Sequence, residues 1–352
     1  MIDLNVFLKK LISAPGLSGY EKPVHDLIAE TWRPLVDELA TSPIGSLHGL
    51  RRGAGAEPRP RILLAGHMDA IGLMVTTLVD GLLRVTEIGG IDARILPGTP
   101  VIVHGRRPIP AIVVTPPVSL IKPELAGKPI PLEHLFVDTG LLPEEVSELV
   151  RTGDLISFDQ QPLDLAGGVL AGHSLDNRAS VAAITACLDE LQKINHAWDV
   201  YAVATAQEEE TLGGAFTSTY AIRPAMAVAI DVTFAKGPGA NDHRTFPLGK
   251  GVALGWGPNI HPAIHNRFKE LAEQLDIPYH FDPLPTHSGT DAMGIQITAE
   301  GIPSMVLSIP LRYMHTPVEL ITIKDISRTG HLLAQFIARL EPDFVEQIRW
   351  EG

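Results

Sequence analysis

The chain has 352 residues, of which 45% are hydrophobic and 20% are charged, and its formal net charge is −13. This composition is typical of a globular protein with a large core, and the length suits two domains. The negative charge argues against nucleic acid as a partner, because phosphate binding needs basic patches. The single cysteine, Cys187, excludes a disulfide within the chain and fits a cytoplasmic location, and no stretch is apolar enough to predict a membrane partner.

The N-terminal part predicts two helices followed by a loop and a strand. The apolar residues of VFLKKLI recur at helical spacing, and a second helix is predicted over residues 21–39, where Pro34 is positioned to end or kink it. Residues 61–65 read as a short buried strand. That strand leads directly to His67 and Asp69, which therefore follow its carboxyl end.

The sequence pattern changes between about residues 72 and 161. Short β-like runs such as LLRVTEI, TPVIVHG, IPAIVV and DLISF alternate with turns that are rich in glycine and proline. This pattern predicts a small β-barrel or sandwich. Because it interrupts two α/β segments, we expect a catalytic domain over residues 1–70 and 163–352 and an inserted β domain over residues 71–162.

An α/β pattern returns after residue 167 and continues to the end of the chain. The predicted elements are a helix at 178–194, strands at 200–206 and 225–230, a helix at 263–275, a Gly-rich polar loop at 286–294, a strand at 304–309 and a helix at 323–340. Continuous apolar strands of this kind are typical of buried parallel sheets. The expected fold class is α/β, with a mixed, largely parallel central sheet flanked by helices and an inserted barrel-like domain.

Polar side chains gather at the predicted strand ends and helix starts. They are His67, Asp69, Asp176, Glu208, Glu209, Asp231 and His315. In open α/β sheets, ligands bind beyond the carboxyl ends of strands, and imidazoles with carboxylates suit Zn²⁺ or a similar divalent ion. The set is too large for one tetrahedral ion and suits two ions about 3.5–4 Å apart. A solvated acidic loop at residues 208–210 is the alternative that these residues alone leave open.

Seven motifs make a family resemblance specific, and they occur in the family's order across nearly the whole chain. They are SAPGLSGYE, LLAGHMDAIGLMV, HSLDNRAS, AQEEETLGGAF, AIDVT, SGTDA and RYMHTPVEL. The chain resembles the tetrahedral (TET-type) aminopeptidases, a family of dinuclear metallopeptidases that includes glutamyl and deblocking aminopeptidases. The resemblance implies a zinc-aminopeptidase-like fold, peptide substrates, and self-association, commonly as a tetrahedral dodecamer that the inserted β domain helps to assemble.

The resemblance also implies a role for each polar residue and two divalent metal ions per subunit, with Zn²⁺ favoured and Co²⁺ or Mn²⁺ as alternatives. It further implies a cis peptide bond between Asp176 and Asn177. The implied roles are first-metal ligands for His67 and Asp231, a bridge for Asp176, second-metal ligands for Glu209 and His315, the general base for Glu208, and support of the His67 ring for Asp69.

The activity that the resemblance implies is hydrolysis of N-terminal residues from peptides. A metal-dependent deacylase or amidohydrolase that acts on N-acyl or small amide substrates is an alternative, and a catalytically inactive scaffold is another. The Gly-rich loop carries His287, Thr290 and Asp291, which correspond to a substrate-side loop of the family and are equally compatible with a plain turn.

Two positions beside the site depart from the family pattern. Ala70 stands where the family usually has Glu, and Glu210-Thr211 stand where it tends to have Val-Gly. His173, three residues before Asp176, reads as a hydrogen-bonded loop histidine or as an extra ligand.

Overall fold

An eight-stranded sheet forms the centre of the protein. The structure, a computed structural model, describes residues 2–117, 119 and 128–349. In the order in which they pair, the strands are β1 (Glu38–Thr41), β2 (Leu47–Arg51), β12 (Asp199–Thr205), β3 (Arg61–His67), β13 (Met226–Phe234), β16 (Ser304–Leu311), β14 (Val252–Trp256) and β15 (Tyr279–Pro283). The four middle strands, β12, β3, β13 and β16, are parallel to one another, so their carboxyl ends lie at one edge of the sheet.

Helices flank the central sheet in two groups. Ten helices are found among the described residues: α1 (Leu4–Ser13), α2 (Lys22–Trp32), α3 (Pro143–Leu149), α4 (Leu175–Leu191), α5 (Glu208–Thr211), α6 (Gly213–Ile222), α7 (Pro262–Gln274), α8 (Asp291–Gln296), α9 (Ile323–Ala338) and α10 (Phe344–Gln347). Helices α1, α4, α7 and α9 pack against one another, and α6 packs against α8. Strands β13 and β16 are buried along nearly their whole length, which explains why they are continuously apolar.

A single apolar core joins the sheet to these helices. Its largest buried side chains include Trp32, Trp198, Phe268 and Phe336, and the last two rings stack with centroids 4.0 Å apart. The indole N–H of Trp32 donates to the hydroxyl of Thr185 at 2.7 Å, so its polar atom is satisfied inside the core. The core therefore gives the parallel strands a rigid setting, which the residues at their ends require.

Six antiparallel strands form a separate closed barrel. In pairing order they are β4 (Gly72–Val79), β5 (Leu82–Ile88), β8 (Phe136–Asp138), β7 (Pro108–Val114), β6 (Pro100–His104) and β9 (Leu155–Phe158). The barrel has its own apolar core, in which alternate residues such as Leu73, Val75 and Val101, Val103 point inward. This barrel and the mixed central sheet confirm the predicted fold class.

A three-stranded antiparallel sheet lies beside the central one and was not predicted. It pairs β11 (Val169–Gly172) with both β10 (Leu163–Leu165) and β17 (Glu319–Thr322). The strand register places Glu319 opposite Gly172. Gly172 precedes Asp176 by four residues. This small sheet thus brings the segment after β16 to the start of α4.

Three local predictions differ from the structure. The second helix ends at Trp32 rather than continuing to residue 39, because Pro34 has no N–H for a helical hydrogen bond and residues 38–41 form β1. The polar loop at 286–294 gives way to α8 at Asp291, with Thr290 as its N-cap. Strand β13 extends past Asp231, so that carboxylate lies within the strand. Among the described residues, no helix combines the length and apolar character needed to cross a membrane.

Candidate metal centre

The predicted polar residues meet at the carboxyl edge of the parallel strands. Residue His67 ends β3 and is level with Thr205, the last residue of β12, and α5 begins at Glu208 three residues later. Asp231 lies near the end of β13, and His315 follows β16 by four residues. Segments that are far apart in the sequence therefore meet in one place, as the strand-end pattern predicts.

Asp176 lies between the two imidazoles. Its Oδ1 atom is 3.2 Å from Nε2 of His67, and its Oδ2 atom is 3.3 Å from Nε2 of His315. Each carboxylate oxygen thus faces a different histidine. A carboxylate that is shared by two metal ions needs this arrangement, with one oxygen directed at each ion.

The other acids lie on the two sides of Asp176. Ligand atoms of His67, Glu208 and Asp231 lie within 4.8 Å of one another, and the same holds for His67, Asp176 and Glu209. Atom Oε2 of Glu209 is also 3.5 Å from Nε2 of His315. Imidazole nitrogens and carboxylate oxygens are the donors that Zn²⁺ and similar ions take, so the residues fit such ions.

Burial makes this cluster electrostatically costly without cations. It raises the pKa of Glu208 well above its usual range, and neighbouring Asp231 adds to the rise while His67 opposes it. Burial likewise raises the pKa of Glu209 to about 7 and that of Asp231 well above the usual range, with Asp176 contributing to both. Divalent cations would offset both the burial and the mutual repulsion.

In contrast, the pKa shifts of Asp176 and of the two histidines favour the charged forms of these side chains. Burial disfavours the charged form of Asp176, but hydrogen bonds from His315 and His67 outweigh it and lower its pKa. The hydrogen bond to Asp176 raises the pKa of His315 to about 9. Burial disfavours the charged form of His67, but the carboxylate of Glu208 and the hydrogen bond to Asp176 outweigh burial and raise the pKa of His67 well above its usual value. Each imidazole therefore has a charge-assisted contact with the carboxylate between them.

Asp69 holds the turn that carries both glutamates. Its two oxygens accept the backbone N–H groups of Glu208 and Glu209, both at 3.1 Å. Its Oδ1 atom is also 3.4 Å from Nδ1 of His67, which is long for a hydrogen bond. Asp69 is fully buried, so it fixes the start of α5 and also lies against the His67 ring.

Glu319 is a functional candidate that the sequence argument missed. Its Oε2 atom accepts the backbone N–H of Asp176 at 3.1 Å, and its Oε1 atom accepts that of His315 at 3.0 Å. The side chain is buried, with 2% exposed. Glu319 therefore connects the segment that carries Asp176 to the segment that carries His315. The signal was available, because Glu319 belongs to the motif RYMHTPVEL.

A buried arginine lies behind the site. The guanidinium of Arg178 donates to the carbonyl oxygens of Leu11, Ala14 at 2.6 Å, Gly16 at 3.4 Å and Met68 at 3.2 Å. Burial lowers its pKa to about 10, which leaves it charged at neutral pH. Arg178 thus ties the N-terminal segment and the end of β3 to the start of α4.

Strained backbone is concentrated around the site. The loops that carry the candidate ligands hold non-glycine residues with positive φ, which costs about 1–2 kcal/mol each. They are Ser174, Gln207, Leu212, Tyr313 and His315. The Asp176–Asn177 peptide bond is cis, which confirms that prediction.

A barrel loop also reaches the site. Atom Oε1 of Glu210 accepts the backbone N–H of Gly89 at 2.6 Å, and a Cβ atom on Gly90 would lie only 3.2 Å from Nδ1 of His315. Glu210 is one of the residues that depart from the family pattern. Its side chain joins the turn that carries Glu208 and Glu209 to the barrel, and the close approach beside it favours glycine.

The cavity over the cluster has a volume of about 400 Å³. Its lining residues are His67, Asp176, Glu208, Glu209, Leu212, Asp231, Val232, His287, Gly289, Met293, Met314 and His315. Of the three predicted substrate-loop residues, His287 lines this cavity. Thr290 caps α8, and Asp291 is buried behind the lining, where its Oδ2 atom accepts the Thr205 hydroxyl at 2.5 Å. His173 lies outside the lining and packs edge-on against Phe158.

The sequence profile of the M42 glutamyl aminopeptidase family matches residues 45–332 of the chain. The chain belongs to this family. A curated relative, the lysyl aminopeptidase of Pyrococcus furiosus, is 34% identical over 97% of this chain and 99% of its own length. Membership in the M42 family makes the chain an aminopeptidase-type peptidase, a hydrolase.

Solved structures of M42-like aminopeptidases superpose over nearly the whole chain. An aminopeptidase from the archaeon Desulfurococcus kamchatkensis has a TM-score of 0.90 and 35% identity, covering 99% of this chain and 98% of its own. A TET aminopeptidase from a marine sediment archaeon of the Thaumarchaeota has a TM-score of 0.92 and 29% identity, with coverage of 97% and 98%. The TET1 peptidase of Pyrococcus horikoshii, which can assemble into a tetrahedron or a large octahedral shell, has a TM-score of 0.83 and 28% identity, with coverage of 96% and 100%.

Proposed function

We propose that this M42 protein is a dinuclear metal-dependent aminopeptidase that removes N-terminal residues from peptides with Glu208 as general base. The observation that carries the proposal is the position of Asp176, whose two oxygens face His67 and His315 on opposite sides. The aminopeptidase names of the relatives support the choice of peptides as substrates.

Two sets of residues would hold the ions. His67 and Asp231 would serve the first ion, Glu209 and His315 the second, and Asp176 both, with Zn²⁺ the favoured metal and Co²⁺ or Mn²⁺ the alternatives. When bound, the ions would supply Lewis-acid polarisation of the scissile carbonyl and would make water a better nucleophile at neutral pH. The fit rests on the donor set and on the buried, mutually repelling carboxylates described above.

In this proposal, Glu208 moves the proton. Its Oε2 atom is 3.7 Å from Nε2 of His67, its side chain lines the cavity, and Asp69 fixes its backbone. A carboxylate at this place takes a proton from the attacking water and returns it to the leaving amine. We assign Asp69 and Glu319 as positioning residues, since both hold backbone N–H groups of ligand-bearing segments.

We also propose that the chain works as a homo-oligomer in the cytoplasm. The support for assembly is the TET1 peptidase of Pyrococcus horikoshii, which forms closed shells. In this proposal, residues 1–70 and 163–352 form the catalytic domain, and residues 71–162, which include the closed barrel, contribute to subunit contacts, with a tetrahedral dodecamer as the expected state. The one cysteine, Cys187, is buried and free, as suits a reducing compartment.

Glu208→Gln tests the proposed general base. The variant is expected to fold and to bind metal like the wild type, because Gln keeps the size of the side chain, and to lose roughly 10²–10⁴-fold in kcat. Metal content by elemental analysis and turnover of aminoacyl-anilides, before and after chelation, are the measurements. Near-normal turnover by Glu208→Gln would show that Glu208 is not the general base.

The substrate class is tested on the wild-type protein. The proposal predicts hydrolysis of anilides with a free α-amino group and little hydrolysis of their N-acetylated counterparts. Preference for the N-acetylated compounds would favour a deacylase, and hydrolysis of neither by the metal-loaded protein would favour a catalytically inactive scaffold.

A further inference from the structure

We infer that the cavity beside the candidate metals selects apolar N-terminal side chains, such as leucine and methionine, over charged ones. The inference rests on the proposed aminopeptidase function, because it names the substrate class of that site. Four of the side chains that line the cavity and are not candidate ligands are apolar. They are Leu212, Val232, Met293 and Met314.

These four side chains form a wall that the rest of the fold holds in place. Leu212 and Met314 are half-buried and pack against the main core, and Val232 is 8% exposed. Atom Sδ of Met293 accepts the backbone N–H of Gly289 at 3.2 Å, which ties α8 to the loop before it. Methionine side chains are flexible, so a wall with two of them adapts to both branched and linear apolar groups.

The wall offers no charged partner to a basic side chain. Among the described residues that line the cavity, each carboxylate belongs to the candidate metal set or is the candidate base. The nearby Glu210 carboxylate accepts the N–H of Gly89, and Asp291 is buried and accepts the Thr205 hydroxyl. A lysine or arginine side chain that entered the cavity would lose hydration without gaining an ion pair.

An acidic side chain finds no cation in the wall either. No lysine or arginine is among the described residues that line the cavity. His287 is the polar member of the lining outside the metal set, and it is exposed at the rim. The inferred preference therefore differs from the lysyl name of the Pyrococcus furiosus relative and from the glutamyl name of the family.

The test compares the metal-loaded wild type with Met293→Glu on leucyl-, methionyl-, lysyl- and glutamyl-anilides. The wild type is expected to favour leucyl and methionyl substrates by at least about tenfold in kcat/KM, the scale of discrimination in apolar pockets. Met293→Glu is expected to shift the preference toward lysyl substrate by about tenfold or more, because it adds a carboxylate to the wall. Ile297→Glu also adds a carboxylate, but at an exposed position just after α8, and is expected to leave the preference unchanged.

Binding provides a readout that does not depend on turnover. Calorimetry on metal-loaded Glu208→Gln protein is expected to give tighter binding of L-leucinamide than of L-lysinamide, and Met293→Ala in the same background is expected to reduce that difference. Equal or reversed selectivity in both assays overturns the inference and leaves the aminopeptidase proposal standing. Preferential binding of L-leucinamide with no hydrolysis of any anilide by the wild type overturns the aminopeptidase proposal and supports the selectivity of the cavity.

Discussion

Glu319→Ala is expected to weaken both the fold around the candidate site and its affinity for metal. The side chain accepts two backbone N–H groups, those of Asp176 and His315, inside a buried setting. A buried donor that loses its acceptor costs about 1–3 kcal/mol, so the variant should lose roughly 2–6 kcal/mol of unfolding free energy. Removing such an outer hydrogen-bond partner typically lowers metal affinity by about 10–100-fold.

The assay is a pair of measurements on each variant, namely denaturant unfolding of metal-free protein and competition for Zn²⁺ against a chelator of known affinity. Glu319→Gln keeps one acceptor oxygen and therefore should fall between Glu319→Ala and the wild type. Glu300→Ala is the matched control, because its side chain is 86% exposed and pairs with Arg223 at the surface, where such pairs are worth about 0–1 kcal/mol. If Glu319→Ala matched Glu300→Ala in both measurements, Glu319 would have no positioning role.

Two further predictions concern other parts of the structure. Glu210→Ala removes the acceptor of the Gly89 N–H and is expected to speed amide exchange in residues 88–92 while exchange in β9 stays unchanged; protection of residues 88–92 equal to the wild type would show that this contact does not hold the barrel loop. Burial raises the pKa of Asp282 to about 6, whereas an unfolded Asp ionises near pH 4, so the ionised carboxylate destabilises the folded state progressively as the pH rises from about 4 to 6 and fully above that range. Asp282→Asn is therefore expected to raise the melting temperature at pH 8 more than at pH 4.5, and an equal effect at the two pH values would contradict this reasoning.

The ends of the parallel strands were predictable because their chemistry is visible in the sequence. Apolar runs that stop at His67, at Glu208 and near Asp231 indicate buried strands with polar carboxyl ends. The barrel was also predictable, because several short β runs separated by turns are typical of a barrel or sandwich. Which oxygen of Asp176 faces which histidine was not predictable, because it depends on loops with unusual backbone conformations.

The sequence analysis missed the structural roles of two buried charged side chains. The sequence analysis assigned no role to Glu319 or Arg178, and charged side chains are rarely fully buried unless they are paired. Their roles depend on the non-local pairing of β11 with β17 and on the approach of the N-terminal segment to α4. Four-residue strands such as β11 carry too little periodicity to be recognised.

The apolar wall of the cavity was hidden for a different reason. Met293 and Leu212 have the same character as core residues, so sequence alone does not separate a substrate wall from the interior. Conversely, Thr290 and Asp291 are polar residues in a Gly-rich stretch that the sequence leaves equally compatible with substrate contact and with a plain turn. In the structure, Thr290 caps α8 and Asp291 accepts the Thr205 hydroxyl. Polarity in a loop is therefore explained here by helix capping as well as by a binding site.

The most direct test of a dinuclear centre is anomalous X-ray diffraction from crystals of the metal-loaded protein. We expect two peaks per chain, one between His67 and Asp231 and the other between Glu209 and His315, with Asp176 between the peaks. A single peak, or metal bound away from Asp176 in a fully loaded crystal, would contradict this expectation.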